Sequence, residues 1–121
     1  MEVRERYRDI LLENIDYDVL VQNPQIDQEQ LDEIVEILVD TVCTSRKTIH
    51  IASDDFPAEV VRSRFLKLTG SHIQYVLACM RENTTRIRNI KKYLLAALYN
   101  ASVTMGSYYS ALVQHDFAEG G

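Results

Sequence analysis

An all-α fold, a compact single-domain bundle of about six helices, is what this sequence of 121 residues predicts. Three observations lead there. Apolar residues recur three and four positions apart in successive windows from Val3 to Ala101. Helix-capping residues such as Asp27, Ser71 and Thr104 stand between those windows. Only one short segment, Thr48 to Ile51, alternates as a strand does.

Val3, Tyr7, Ile10, Leu11 and Ile15 fall at helical spacing and predict a first helix. A helical turn over Tyr17 to Gln22 stops at Asn23-Pro24, because the residue before proline avoids the α region. Asp27 caps the clearest helix: Gln30 stands three residues on, as in a capping box, and acids crowd the first turns, where the dipole favours them. Leu31, Ile34, Val35, Leu38 and Val42 form its buried stripe, with Ile37 and Cys43 beside it, and its end falls near Thr44 or Ser45. One strand alone cannot form a sheet, so Thr48 to Ile51 reads as a connector that tucks Ile49 and Ile51 into the core. Asp54 or Asp55 then caps a helix with Pro57 in its first turn, where proline's fixed φ is tolerated.

That helix is lined by Val60, Val61, Phe65 and Leu68 and stops at Thr69-Gly70. Ser71 caps the next, with Ile73, Val76, Leu77 and Met80 inward, as far as Asn83-Thr84. Another begins near Thr85 and ends at Ala101-Ser102. Thr104 caps a last helix from Met105 to Phe117, and residues 116–121 read as a frayed tail.

Hydrophobic residues at 46% and charged residues at 26% are ordinary for a soluble globular domain. The stretch Tyr93 to Gln114 lacks charge, but Asn100, Ser102, Thr104, Gly106, Ser107 and Ser110 interrupt it, so it is no membrane span. The charged N-terminus is no secretory signal. Cys43 and Cys79 make neither a CxxC nor a disulfide framework, which fits a reducing, cytoplasmic setting and small buried side chains.

The net charge of −5 is unevenly spread. Residues 1–55 hold five Lys/Arg against fourteen Asp/Glu, and residues 56–121 hold eight against four. Such asymmetry suits one face for a basic partner and another for an acidic one, or simply solvated helix surfaces. An overall pI of about 5.1 does not announce a nucleic-acid binder.

Catalytic motifs are missing from the sequence. There is no GxSxG, P-loop or GxGxxG, and four glycines, two of them terminal, could hardly build a phosphate cradle. His50, His72 and His115 lie 22 and 43 residues apart, so no pair has the spacing that puts two imidazoles on one helix face. Asp32-Glu33 and Asp54-Asp55 are sequence neighbours and read as solvated face and N-cap. The expectation is a non-enzyme with no cofactor, no metal, no membrane contact and no small-molecule substrate.

The stretch "RENTTRIRNIKKYLLAALYN", Arg81 to Asn100, carries the functional signal. Ile87, Ile90, Leu94, Ala97, Leu98 and Ala101 form one stripe, read as core. Arg88, Lys91, Lys92, Leu95 and Tyr99 lie around the other side, with Arg81 and Arg86 at the preceding turn. Cations at a helix start oppose the macrodipole, at about 0.3–1 kcal/mol each, so stability alone does not favour them there. Basic groups beside an aromatic suit phosphate contact with base stacking, or an acidic protein partner.

The run "LDEIVEILVDTVCTSRKTIHIASDDFPAEVVRSRFLKLTGSHIQYVLACMRENTTRIRNIKKYLLAALYNA" closely resembles the C-terminal domain of RepA-type replication initiators of plasmids and mobile elements in Firmicutes. The similarity runs from Tyr17 through His115, and Ser63 to Leu68, Arg81 to Thr85 and Ile87 to Asn100 carry it most specifically. More distantly, the region is similar to the DnaD-type domain of primosome proteins, which ends in Tyr-Ile-x-x-Ile-Leu-x-x-Trp. Tyr93, Leu94, Ala97 and Leu98 match that pattern, but its Trp falls at Ala101 and the chain has no Trp. The resemblance implies a DnaD-like C-terminal module that recruits host replication proteins, a helicase loader or the primase machinery. In such initiators a winged-helix domain precedes this one and binds the origin. No such pattern stands before Asp27, so the chain looks like one domain of a longer initiator, with Met1 added in front.

Its expected contact residues are Arg81, Arg86, Arg88, Lys91, Lys92 and Tyr99, the cations supplying charge and Tyr99 an apolar anchor. Direct single-stranded DNA binding through the same face is the alternative, and oligomerisation through Tyr108 and Tyr109 a third reading.

Overall fold

A computed structural model describes residues 2–83 and 87–103, the side chain of residue 83 excepted. Their order is α1 (Glu2–Asn14), α2 (Tyr17–Val21), α3 (Gln28–Val42), β1 (Thr48–Ile51), β2 (Asp54–Pro57), α4 (Ala58–Leu66), α5 (Gly70–Asn83) and α6 (residues 90–103). The domain is mostly helical, with one small antiparallel hairpin.

Helix α3 is the centre of the packing. Leu31, Ile34, Val35, Ile37, Leu38, Val39 and Val42 are all buried, as a helix covered on most sides requires. Asp27 caps it as expected, its carboxylate accepting from the backbone N–H of Glu29 at 2.9 Å and of Gln30 at 3.4 Å. At the other end, Arg62 of α4 donates through Nε to the carbonyl of Val42 at 2.9 Å and through a terminal nitrogen to that of Thr44. The guanidinium thereby satisfies carbonyls that the helix leaves open, at the end where the dipole favours a cation.

Helix α1 buries Leu11, followed by Ile15, and lies along α3. Arg8 meets Glu36 at 2.6 Å, and Arg4 pairs with both Asp40 and Glu36. The α1–α2 turn pivots on Asp16, at φ 54 and ψ 51, whose carbonyl accepts from Val19 and Leu20. Asn14 donates to the carbonyl of Leu66 at 2.8 Å, tying the end of α1 to the end of α4.

The hairpin departs from expectation. Thr48 to Ile51 does not stand alone, and Asp54 and Asp55 do not cap a helix: Asp54–Pro57 pairs with it in register Thr48↔Pro57, Ile49↔Phe56, His50↔Asp55, Ile51↔Asp54. Ile51 is buried and Ile49 and Phe56 half-buried, so the inward face is apolar as the alternation implied. Helix α4 therefore starts only at Ala58, with Pro57 outside it at φ −57. Val61, Phe65 and Leu68 are buried, but Val60 is 41% exposed and not part of that lining.

Helix α5 starts at Gly70, with Ile73, Val76, Leu77 and Met80 inward. A Cβ on Gly70 would stand 2.8 Å from the carbonyl oxygen of Ile15, so the α1–α2 turn needs glycine there to approach. The last helix also differs from expectation. Its cap is Asn89, whose side chain accepts from Lys92 N–H at 3.0 Å and whose carbonyl accepts from Tyr93 N–H at 3.0 Å. The helix thus begins five residues later than expected, at residue 90, and passes Ala101-Ser102 to residue 103. Leu94, Leu98 and Ala101 are buried and Ile87 and Ala97 half-buried, but Ile90 is 37% exposed. The expected helix from Met105 to Phe117 lies outside the described residues.

Candidate functional site

The cations of the Arg81–Lys92 stretch divide between two helices. Arg81 sits in the last turn of α5, Arg88 just before the Asn89 cap, and Lys91 and Lys92 in the first turn of α6. Tyr75 and Cys79 of α5 and Tyr93 and Ala97 of α6 wall one groove, so the helices lie side by side. A connection this short between adjacent helices reverses the chain, which puts all four cations at one end of the pair. Arg86 lies outside the described residues.

Arg81, Arg88, Lys91 and Lys92 are exposed. None makes an ion pair with a described residue, whereas Arg4 and Arg8 are neutralised by Glu36 and Asp40. Arg81 also borders a cleft of about 290 Å³ with Asn23, Gln25, Asp27 and Gln74. The basic end of the pair thus stands beside the capped start of α3. The opposite charge collects at the α1–α2 turn, where Asp9, Glu13, Asp16 and Asp18 surround Leu12 and Val19.

Tyr99 is not on the basic face. It is half-buried against the core, its ring centroid 4.7 Å from that of Phe56 on β2, with the Arg64 guanidinium 5.3 Å from its own centroid. The hairpin, which periodicity alone did not reveal, supplies Phe56 and draws Tyr99 inward. Leu95 likewise packs against the core. The face shared by cations and an aromatic is in fact a basic tip and an aromatic cluster at opposite ends of α6.

That cluster borders a cleft of about 490 Å³ between α4 and α5, lined by Ser63, Arg64, Lys67 and His72 among others. Ser63, Arg64 and Lys67 fall in the Ser63 to Leu68 run that carries the resemblance, but the sequence alone assigned them no contact role, although Arg64 and Lys67 stand at i, i+3 with Ser63 beside them. The geometry of His72 is that of a cap. Its Nδ1 accepts from the backbone N–H of Thr69 at 3.0 Å, and Thr69 carbonyl accepts from Ile73, the first bond of α5. This is one half of a capping box, with imidazole in the place of Glu; the Thr69 hydroxyl lies against the same Nδ1 at 3.0 Å. Burial lowers the pKa of His72 from its ordinary value of 6.5.

His50 faces Asp55 directly across the hairpin, Nδ1 to carboxylate 2.8 Å, and both are exposed. Cys43 and Cys79 are half-buried and form no disulfide. Among the described residues no three His, Cys, Asp or Glu side chains gather as metal ligands would, and no helix is long and apolar enough to cross a membrane. His115, Tyr108 and Tyr109 lie outside the described residues.

No curated protein and no solved structure matches the chain. A family model does, over residues 1–120. The chain belongs to that family, described as a family of unknown function (DUF6017).

Proposed function

We propose that this domain is a non-catalytic, DnaD-like module of a RepA-type replication initiator, acting in the cytoplasm to recruit a host helicase loader or the priming machinery. The observation that carries the proposal is the set of exposed, unneutralised cations Arg81, Arg88, Lys91 and Lys92 at one end of the α5–α6 pair. Lys91 and Lys92 occupy the first turn of α6, where the dipole disfavours them by about 0.3–1 kcal/mol each. An acidic surface on a partner offsets that cost and gives association its specificity and speed. The replication setting comes from the resemblance of the Arg81 to Asn100 stretch and its flanks. Arg86 belongs to the same basic stretch in sequence.

Single-stranded DNA is the second reading of the same cations. It loses one support, since the aromatic assigned to stack a base, Tyr99, is engaged by Phe56 and Arg64. Capture of replication proteins from host lysate by the wild type, and its loss with Arg88→Glu/Lys92→Glu, is the expected result. Capture unchanged by the reversals would overturn the assignment. Oligonucleotide binding with a logarithmic salt slope of about −0.7 per contact would shift the proposal to DNA.

A further inference from the structure

We propose that the α4–α5 cleft is a binding site for the phosphate of a nucleotide, held by Arg64, Lys67, His72 and Ser63. The site is separate from the basic tip at the start of α6, and the inference holds whether or not the domain serves replication.

Four donors converge on this cleft from two helices and the turn between them. Arg64 is fixed before any ligand arrives, because its guanidinium lies over the Tyr99 ring, itself braced by Phe56. Its Nε is buried and meets no acceptor among the described residues. That nitrogen is covered by the protein itself, so what Arg64 offers an arriving oxyanion is the terminal amino groups of a guanidinium already held in place, and their charge-assisted hydrogen bonds are the stronger kind. Lys67, exposed at the end of α4, adds a second permanent charge.

His72 contributes a donor of defined identity. A backbone N–H can only donate, so the Nδ1 that accepts from Thr69 carries no proton and the neutral ring bears its hydrogen on Nε2. Nε2–H is therefore the ring's remaining polar group. The Ser63 hydroxyl, exposed on α4, can also donate. Ser102 is only wall, since its hydroxyl already donates to the Tyr99 carbonyl at 2.7 Å.

Geometry selects the ligand. Donors arriving from several directions suit a tetrahedral phosphate, whose oxygens point several ways, better than a planar carboxylate. A cleft of about 490 Å³ is far larger than inorganic phosphate and lies in the range of small-ligand sites. Exposed Val60 gives it an apolar border for the remainder of a nucleotide. Among the described residues Glu59 is the one carboxylate on the cleft, and it opposes the anion. It therefore supplies a test with inverted sign.

The experiment is an amide and arginine-Nε NMR titration of the whole chain with inorganic phosphate, with a nucleoside monophosphate and with a short single-stranded oligonucleotide. Saturable shifts at Ser63, Arg64, Lys67 and His72 are expected, the nucleotide-containing ligands binding more tightly than phosphate. Tighter monophosphate than oligonucleotide binding identifies a free nucleotide as the source, and the reverse a strand. Lys67→Glu should weaken binding about tenfold or more, the scale of a lost charge-assisted contact, and Glu59→Gln should strengthen it. Both substitutions are at exposed positions, and the unchanged remainder of each spectrum reports an intact fold. No saturable response to any of the three ligands, or equal affinity in Lys67→Glu and the wild type, would overturn the site.

Discussion

Gly70 and His72 show how single atoms set the geometry at the start of α5. Any Cβ at position 70 meets a backbone oxygen, Ile15 O at 2.8 Å, which has no rotamer to move to. Gly70→Ala should therefore destabilise the domain by about 1–3 kcal/mol, the usual cost of overpacking, although alanine is the better helix former. Denaturant melts of the two proteins measure it, and an unchanged midpoint would contradict the contact. His72 makes the same helix start sensitive to pH. Its folded pKa lies below the ordinary 6.5 because burial disfavours the cation. The unfolded chain then binds the proton better, so His72's contribution is complete above the unfolded pKa and is lost as pH falls below it. Protonating Nδ1 would also break the bond from Thr69. His72→Gln keeps an acceptor at the capping position and removes the titration. Its stability should fall less than that of the wild type between about pH 7.5 and about pH 5. Parallel slopes in the two proteins would refute this account. Neither glycine's role nor the histidine's pKa was legible beforehand, since both depend on a neighbour fifty or more residues away or on burial itself.

At the scale of elements, five of the six helices lie close to where apolar periodicity put them, and the miss is the hairpin. The segment Asp54-Asp55-Phe56-Pro57 reads locally as a cap followed by proline at a helix start. Its loop, Ala52-Ser53, contains no glycine or asparagine to announce a turn. Yet Ala52 adopts φ 57, a value natural to glycine at the first position of a two-residue loop. Tertiary packing maintains it: Phe56 is held against Tyr99, and the Ala58 N–H donates to the Lys47 carbonyl at 2.9 Å, closing the base of the hairpin. Such a two-stranded unit is marginal alone and depends on that support. Ala52→Gly should raise stability by about 1 kcal/mol, relieving the Cβ clash of the left-handed region. A thermal midpoint at or below that of the wild type would show that the strain is not there.

Across the whole molecule, two charge distributions coexist with different degrees of neutralisation. The acidic α1–α3 side carries internal pairs, Arg4 with Glu36 and Asp40, and Arg8 with Glu36. The basic tip of α5–α6 carries none among the described residues. If the tip serves a partner, the Arg88→Glu/Lys92→Glu protein should lose capture while its melting temperature holds or rises, since Lys92 opposes the dipole of α6. A large loss of stability would instead mean that those cations hold the fold together.

Periodicity along the chain by itself determined the helical class, the buried faces of α1, α3 and α5, and the Asp27 cap, because a helix writes its own face and ends into local spacing. It also located the basic stretch. Only the tertiary structure decided that Asp54–Pro57 is a strand, that Asn89 starts α6, and that Tyr99 turns inward beneath Arg64. The Asn89 cap is made by its own neighbours Lys92 and Tyr93, whereas the strand and the turn of Tyr99 depend on contacts between residues far apart in sequence, Phe56 with Tyr99 and Arg64 with the same ring. The cleft at Arg64, Lys67 and His72 is of this kind. Its donors come from α4 and from the start of α5, and the close approach of Gly70 to Ile15 helps to set where α5 begins.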